Sequence, residues 1–392
     1  MKKETNLKIC LTIILIFMTV CLSGCWDSVE LNKRSIVSGL GWDLDPKTGE
    51  VTFTVQSIVP SEVKAPSASN TTGQQQAGGE LRSIQVDKDT GPAMYDAITR
   101  LTQHVTRFPF YPHTKVYIFG KEGAQHGIYQ FFDVQARNPD SRPNALIVVS
   151  AEKKASDIMV IPDGMEKIQA FGMVAEIKLS AQYSKYPAVT VLDFQKRIMS
   201  RTTAPIAPIV GIAKAIGPDG RETKKLRVAG TAVFKGGRMI GELNERESSG
   251  LLWVTNKVKI GFIAVPEADL EIVKAKSKII PELQGDKIKI TVDIKEESDL
   301  VLYKKRQDLT ADILRELEKD LAKEIESQVM ASVEKSFALD ADVFGFGEAV
   351  HRKYKNEWKD MKPRWDEIYP EIEVVVKVKT HLNKIGDINK AL

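Results

Sequence analysis

Cysteine is nearly absent from this chain of 392 residues, and its three copies all lie within the first 25 positions. They are Cys10, Cys21 and Cys25, so the whole body of the chain that follows contains none. A body without cysteine can form no disulfide, no thiolate zinc site and no cysteine nucleophile. The scarcity therefore excludes disulfide-rich domains, zinc fingers and cysteine hydrolases as classes for the folded part.

An excess of one charge is also missing, because 56 basic residues face 52 acidic ones and the formal net charge is +4. Residues 1–24 contribute +2 through Lys2, Lys3 and Lys8 against Glu4, which leaves 4 − 2 = +2 for the rest. A chain this close to neutral has no overall basic field for nucleic acid or for anionic lipid. We therefore predict that it has no nucleic-acid partner.

Sequence motifs of catalysis are missing as well. The chain contains no G-x-S-x-G nucleophile elbow, no H-E-x-x-H zinc motif and no Walker A loop. The histidines are scattered without the tight spacing of a metal site: His104, His113, His126, His351 and His381. A pair of glycosidase carboxylates could still be hidden, because folding brings distant acids together. The interpretation is a protein that is not an enzyme, with no catalytic residues, no cofactor and no metal.

Two glycine pairs and one acidic turn imitate ligand-binding motifs. The pairs Gly39/Gly41 and Gly345/Gly347 begin like a dinucleotide-binding loop, but neither is followed by the third glycine. Close approach of the backbone to a neighbouring element explains them better. Residues 43–50 carry two aspartates at calcium-loop spacing, but a lysine replaces the next acid, so a hairpin turn is the favoured interpretation.

The first 25 residues have the form of a processing signal. A short basic stretch precedes the apolar residues 9–22, and this run is shorter than the ~20 residues that span a bilayer. Small residues then lead to a cysteine in the sequence Leu22-Ser23-Gly24-Cys25. This sequence resembles a bacterial lipobox, which implies cleavage between Gly24 and Cys25 and a diacylglyceryl thioether and an N-acyl group on Cys25. An ordinary signal peptide with a coincidental cysteine is the alternative.

The remaining chain predicts an α+β fold of two to three mixed α/β domains, with antiparallel hairpins and a long C-terminal amphipathic helix. After the signal peptide at 1–24 we expect an N-terminal α+β domain at 25–200, in the order β-β-α-β-α-β. Within it, residues 61–80 are rich in Ser, Gln and Gly and predict a flexible loop. Hairpins predict a middle segment or domain at 201–260, and a C-terminal α+β domain follows at 261–385.

The long helix is predicted over residues 309–337. Its apolar residues form one stripe with charged residues between them, and they include Leu317, Leu321 and Ile325. Such stripes are typical of core packing against a sheet. A partner-binding or coiled-coil face is the alternative, although the stripe is not a strict heptad.

Several sequence blocks together resemble one family. The mature chain begins CWDSVELN at Cys25 and continues with VSGLGWD at Val37, and later blocks follow in the same order as in the family. They are RNPDSR at Arg137, FKGGRMIGEL at Phe234, ESSGLLW at Glu247, DVFGFGE at Asp342 and WDEIYP at Trp365. The chain is similar to the Ger(x)C family of spore germination lipoproteins, the C subunits of GerA-type nutrient germinant receptors.

The resemblance implies a non-catalytic, lipid-anchored receptor subunit that is needed for germination in response to nutrients. It implies two integral membrane partners, the A-type and B-type subunits, and a membrane lipid reached through Cys25. It also implies a location on the outer face of the spore inner membrane and an α+β fold. No ligand pocket is assigned to this subunit by the resemblance.

Two other functions compete with this interpretation. A solute-binding lipoprotein of a membrane transporter would show two lobes with helices alternating between strands, whereas hairpins dominate the later part of this chain. A lipid-anchored hydrolase is disfavoured by the missing motifs.

Overall fold

The computed structural model describes residues 9, 12, 33–60, 83–137, 142–161, 166–200, 202–217, 220–285 and 287–384. Apart from residues 9 and 12, the predicted signal peptide lies outside the described residues, as do the lipidation site Cys25, the cleavage site at Gly24 and the predicted flexible loop at 61–80. Within the described part the chain forms helices and two mixed sheets, which confirms the predicted α+β fold class.

The first sheet has nine strands in the order β3-β2-β1-β5-β6-β7-β8-β9, with β4 beside β1. The strands are β1 Arg34–Leu44, β2 Val51–Ile58, β3 Ile84–Gly91, β4 Phe108–Phe110, β5 Val116–Phe119, β6 Leu146–Ser150, β7 Ile206–Ile216, β8 Glu222–Lys235 and β9 Arg238–Leu243. The central strands β1, β5, β6 and β7 run parallel, and antiparallel hairpins extend the sheet on both sides. The strands of the segment 201–260 are thus hydrogen-bonded into this sheet.

Six helices accompany this sheet. They are α1 Met94–Thr102, α2 Lys121–His126, α3 Tyr129–Arg137, α4 Ala155–Met159, α5 Gln169–Gln182 and α6 Val191–Ser200. Strands β5 and β6 are buried on both faces, as expected of central parallel strands covered by helices. Val116 and Ile118 belong to one apolar cluster with α4 and α5, while Phe119 belongs to a second cluster with Phe131 and Phe194 on α3 and α6.

The second sheet has four strands in the order β10-β11-β12-β13: β10 Gly261–Val265, β11 Ala268–Gln284, β12 Lys287–Tyr303 and β13 Glu373–Lys384. Strand β13 lies parallel to β12, and the other pairs are antiparallel. Helices α7 Glu245–Val254 and α8 Ala311–Ala338 precede and follow its first three strands, and α8 contacts β13. Three short helices complete the chain before β13: α9 Phe346–Lys353, α10 Trp358–Met361 and α11 Trp365–Ile368.

The apolar stripe of α8 lies in the core, as predicted. Leu317, Leu321 and Ile325 are at most 1 % exposed and belong to the main apolar cluster. Helix α7 crosses α8 closely, since a Cβ atom at Gly250 would lie 2.0 Å from the carbonyl oxygen of Gln328. Only glycine fits at this crossing.

The glycine pairs and the acidic turn serve structural roles, as predicted. A Cβ atom at Gly41 would meet Met159 Sδ at 2.9 Å, and Gly347 is enclosed as closely by Trp365. The Asp45 carbonyl accepts the N–H of Gly49 at 2.8 Å, which closes the β1–β2 hairpin turn.

Candidate functional site

An open cleft of about 320 Å³ lies where the first sheet meets the C-terminal helices. Three segments build most of its wall: the end of α6, the β8–β9 turn and the chain that follows α8. Its lining residues are Tyr129, Arg197, Ile198, Thr202, Thr203, Ala204, Pro205, Phe234, Lys235, Gly236, Gly237, Asp340, Ala341, Asp342, Trp365, Asp366 and Tyr369.

Asp342 organises the loop between α8 and α9. Its Oδ1 accepts the backbone N–H groups of Phe344, Gly345 and Phe346 at 3.2, 2.8 and 3.0 Å, and its Oδ2 accepts that of Gly347 at 2.8 Å. Four N–H groups can converge on one carboxylate because Gly345 has a left-handed φ of 80°. Burial raises the pKa of Asp342 to about 6, although these hydrogen bonds and the charge of Arg197 act to lower it. Because this pKa is below 7, the carboxylate is ionised at neutral pH.

Arg197 ties α6 to this loop from the other side. Its guanidinium donates to the carbonyl oxygens of Ala204 at 2.9 Å and Val343 at 3.0 Å. Burial lowers the pKa of Arg197, while the carboxylate of Asp342 raises it. The N–H of Ala204 also donates to the backbone oxygen of Asp342 at 2.8 Å, so side-chain and main-chain bonds join the same two segments.

Lys235, at the end of β8, makes a third tie. Its Nζ donates to the carboxylate of Asp340 at 2.6 Å and to the backbone oxygen of the same residue at 2.9 Å. Asp366 lies 3.4 Å away on α11. The backbone of Asp340 has a positive φ of 47°, which few residues other than glycine adopt. The β8–β9 turn that follows Lys235 needs its two glycines, and a Cβ atom at Gly237 would lie 2.6 Å from the ring of Tyr129.

Aromatic side chains close the base of the cleft. Trp358 and Trp365 are buried edge to face with ring centroids 5.2 Å apart, and Gly347 allows both rings to approach the start of α9. Tyr369 is 1 % exposed, and its hydroxyl lies 2.6 Å from that of Ser336 on α8. The C-terminal helices are thereby fixed to α8.

Three of the sequence blocks therefore meet at one place, namely those beginning at Phe234, Asp342 and Trp365. The block beginning at Glu247 lies elsewhere, in α7. There Gly250 permits the helix crossing, and the indole of Trp253 donates to the side chain of Gln328 at 3.2 Å. Most of the block beginning at Arg137 lies outside the described residues.

Sequence reasoning did not find Arg197 or the Lys235–Asp340 pair. Helix α6 was not predicted, although Val191, Phe194 and Ile198 have helical spacing, the first two are buried in the core and Ile198 is partly buried against it. An ion pair between residues 105 positions apart leaves no local pattern in a sequence.

The cleft is a structural joint between the first sheet and the C-terminal helices. Its charged groups are engaged with one another and with main-chain atoms, and together they hold the first sheet against the C-terminal helices. Among the described residues, no group of three or more His, Cys, Asp and Glu is arranged to hold a metal ion. In the same part of the chain, no helix has the length and apolar character to cross a membrane.

Family models match both halves of the chain. The model described as "Spore germination protein N-terminal domain" matches residues 27–212, and the model described as "Spore germination B3/ GerAC like, C-terminal" matches residues 229–386. The three segments that form the cleft come from both matched regions.

Similar proteins match over nearly the full length. Spore germination protein KC of Bacillus subtilis (strain 168) is 27% identical over 97% of this chain and 96% of its own length. Spore germination protein B3 of the same organism is 21% identical over 96% of this chain and 98% of its own. The crystal structure of the GerBC protein superposes with a TM-score of 0.55 at 16% identity, covering 91% of this chain and 99% of that one. This last likeness concerns the fold.

Proposed function

This chain belongs to the Ger(x)C family of spore germination proteins, the family of germinant receptor C subunits, and on that premise we propose that it is the lipid-anchored, non-catalytic subunit of a nutrient germinant receptor. The observation that carries the proposal is the match of family models to both halves of the chain. The convergence of three sequence blocks on one cleft supports it, because those blocks, together with Arg197 from the N-terminal matched region, join the C-terminal helices to the first sheet instead of forming a catalytic constellation.

The anchor is Cys25, after cleavage between Gly24 and Cys25. Two acyl chains bind a bilayer stably, where one binds only marginally. The mature protein then resides on the outer face of the spore inner membrane. Acyl labelling tests this directly: Cys25→Ala abolishes incorporation of labelled fatty acid, while the matched variant Cys21→Ala keeps it. Label retained on the Cys25→Ala protein contradicts the anchor.

The partners are two integral membrane subunits of the A and B types. A shared membrane raises the effective concentration of an anchored subunit near them. Purification of the detergent-solubilised protein from spore membranes should bring both partners with it. Recovery of the protein with transporter subunits instead would favour a solute-binding role.

A deletion strain tests the receptor function. A receptor subunit acts by biasing a conformational equilibrium of its complex, so its loss removes or weakens the response to particular nutrients. Loss of spore refractility is scored under nutrients and under a chemical trigger that bypasses the receptors, in a strain that also lacks sister receptors. Failure under nutrients alone supports the proposal, and equal failure under both triggers places the protein in the downstream machinery.

The cleft offers a sharper variant than deletion. Lys235→Glu places a third negative charge beside Asp340 and Asp366 and weakens the joint without removing core volume. We expect slower germination with nutrients at unchanged protein abundance. The matched control is Lys225→Glu, on the same strand but outside the lining of the cleft. Equal behaviour of the two variants would show that the joint plays no part in the response.

A further inference from the structure

Among the rows from Lys274 to Glu282 on the outward face of the second sheet, one is uncharged, Ile280–Thr291–Val375, and the charged rows alternate in sign with one exception. Strands β11, β12 and β13 lie side by side, so each outward position forms a row of three facing residues. Three rows alternate bases with acids: Lys274–Glu297–His381, Lys278–Asp293–Lys377 and Glu282–Lys289–Glu373. Opposite charges on facing residues stabilise a sheet, and these rows follow that rule.

The exception is the row Lys276–Lys295–Lys379, in which three lysines face one another across the three strands. All three side chains are exposed. No acidic group lies within ion-pair distance of any of them among the described residues, whereas Lys274 and Lys289 in other rows of this face have partners at 3.0 and 2.8 Å. Like charges directly opposite each other destabilise a sheet, so this row needs another reason.

Protection of sheet edges explains only part of the row. Lysine on an exposed edge discourages pairing with other chains. That role suits Lys379 on the edge strand β13 and Lys276 on β11, which extends here beyond the residues paired with β10. Lys295 lies on β12, whose hydrogen-bonding sides are both occupied by neighbours. The exposed lysines Lys278 and Lys377 flank the row on one side, with Asp293 between them as the acid of that group.

We propose that this lysine face, defined as Lys276, Lys278, Lys295, Lys377 and Lys379, lies against the anionic headgroups of the membrane. Its charge is complementary to such a surface, since five lysines surround one aspartate. Cores of stable protein interfaces are depleted in lysine and enriched in aromatic residues and arginine, none of which is in this group. Exposed lysines on a flat sheet fit a surface of diffuse negative charge, to which each contributes separately.

The proposed anchor at Cys25 brings the face within reach, and to this extent the inference rests on the proposed function. Eight Cα–Cα steps lead from Cys25 to Lys33, the start of the described body. However they are arranged, they span at most ~29 Å. A tether this short keeps the folded body near the headgroups. The lysine face then determines which side of the folded body contacts them. The near-neutral charge of the mature chain hides this local concentration of positive charge.

Vesicle binding by the mature chain without its lipid tests the inference. The polypeptide from Trp26 onward retains every residue of the described sheets, and it is mixed with sedimentable vesicles of about 30 mol % phosphatidylglycerol in phosphatidylcholine or of phosphatidylcholine alone. We expect binding to the anionic vesicles only, weakened by added salt. At roughly fivefold per lysine, Lys276→Gln, Lys295→Gln and Lys379→Gln together lower the partition coefficient about 100-fold.

The matched control removes the same charge elsewhere. Lys214→Gln, Lys224→Gln and Lys225→Gln together neutralise three exposed lysines on the β7–β8 hairpin of the first sheet, and they should change binding less than about fivefold. Equal loss in both triple variants, or no binding of the parent chain to anionic vesicles, overturns the inference. So does a lysine-face variant that binds vesicles normally but fails to co-purify with receptor subunits, since the face would then be a protein interface.

This experiment separates the inference from the proposed function. The vesicle assay uses no lipid anchor and no receptor, so its outcome does not depend on acylation of Cys25 or on germination. Melting temperatures of both triple variants control for folding. The lysine-face variant should melt no lower than the parent chain, because its three facing charges repel one another.

Discussion

Two buried carboxylates in this protein have opposite surroundings. Asp342 is 3 % exposed and accepts four backbone N–H groups. Glu296, on β12, is 2 % exposed, and neither its oxygens nor the hydroxyl of Ser298 has a hydrogen bond of normal geometry in the described part. Burial raises the pKa of Glu296 to about 8, helped by the charges of Glu297 and Glu318 and opposed by the hydroxyl of Ser298.

The difference shows that burial alone does not decide the charge of an acid. Asp342, with a pKa of about 6, is ionised at neutral pH because donors and Arg197 compensate the lost hydration. Glu296 is mostly protonated at the same pH because little compensates it. One carboxylate therefore organises a loop as an anion, and the other occupies the core as a neutral acid.

Removal of the compensated carboxylate has the largest expected effect. Asp342→Ala leaves four N–H groups without their acceptor and removes the negative charge that acts on the partly buried Arg197, and we expect the free energy of unfolding to fall by roughly 3–5 kcal/mol. Chemical denaturation measures the loss. Asp366→Ala, at an exposed acid on the same cleft, is the control and should change the unfolding free energy by less than about 0.5 kcal/mol. A small effect at Asp342 would mean that its hydrogen bonds are readily replaced by water.

Truncation of a purely apolar side chain measures how much the core near Glu296 contributes to stability. Leu321 is fully buried on α8, one turn after Glu318, the residue whose charge acts on Glu296. Leu321→Ala should lower the free energy of unfolding by roughly 2–5 kcal/mol through lost burial and the cavity left behind. If denaturation showed full stability while co-purification with receptor subunits failed, the stripe on α8 would serve a partner instead. Lys319→Ala, exposed on the same helix, is the control.

The neutral acid should give the protein a specific pH dependence. Glu296 has an ordinary pKa of about 4.5 in the unfolded chain and a pKa of about 8 in the folded protein. At a pH between these two values, folded Glu296 keeps a proton that the unfolded chain releases. The free energy of unfolding therefore falls as pH rises through this window, by at most about 1.4 kcal/mol per pH unit from this group. Glu296→Gln removes the contribution, which denaturation series from acidic to mildly alkaline pH can measure.

Glu297→Gln is the matched control for that series. Glu297 is partly exposed to solvent, and its hydrogen bond with Lys274 lowers its pKa. The Glu297 carboxylate is therefore ionised in both folded and unfolded chains across this pH range. Its replacement by glutamine should leave the pH dependence of the unfolding free energy unchanged. If the free energy of unfolding of Glu296→Gln depended on pH as it does in the parent chain, Glu296 would be hydrated and would have an ordinary pKa.

The smallest expected effect concerns the partly exposed ion pair at the cleft. Lys235 and Asp340 have side chains that are 38% and 46% exposed, so their attraction is screened by water. Lys235→Met should lower the free energy of unfolding by at most about 1 kcal/mol, and the loss should shrink at high salt. Thermal melts at low and high salt measure it. A larger loss that salt does not change would place the pair among the buried interactions, beside Asp342.

Local patterns in the sequence predicted most elements of this fold. Apolar runs or alternating apolar residues in the sequence coincide with strands β1, β2, β5, β6, β7 and β8, and helical apolar spacing coincides with helices α1, α7 and α8. The sequence also predicts a helix over residues 342–360, but this segment forms no continuous helix, because Gly345 adopts a left-handed conformation and Tyr354 ends the α9 helix. Helix α5 was missed because its apolar residues do not gather on one face, and β3 because it is a polar strand paired only with β2.

The site was less predictable than the fold. The blocks beginning at Phe234, Asp342 and Trp365 are visible in the sequence, but their meeting depends on contacts between residues about a hundred positions apart. The lysine row was invisible for the same reason, since net charge does not reveal strand register. The domain boundaries at residues 200 and 260 stay a prediction, as does lipidation of Cys25.

Most of the elements, the family resemblance and the predicted anchor can be read from the sequence, because helical and strand periods and the lipobox depend on neighbouring residues. Tertiary structure alone decided which charges meet. Register between β11, β12 and β13 placed three lysines in one row, and the fold placed Asp342 among four N–H groups but buried Glu296 without a hydrogen bond of normal geometry to the described residues. Ionisation depends on distance and hydration, and both are set only when distant segments pack together.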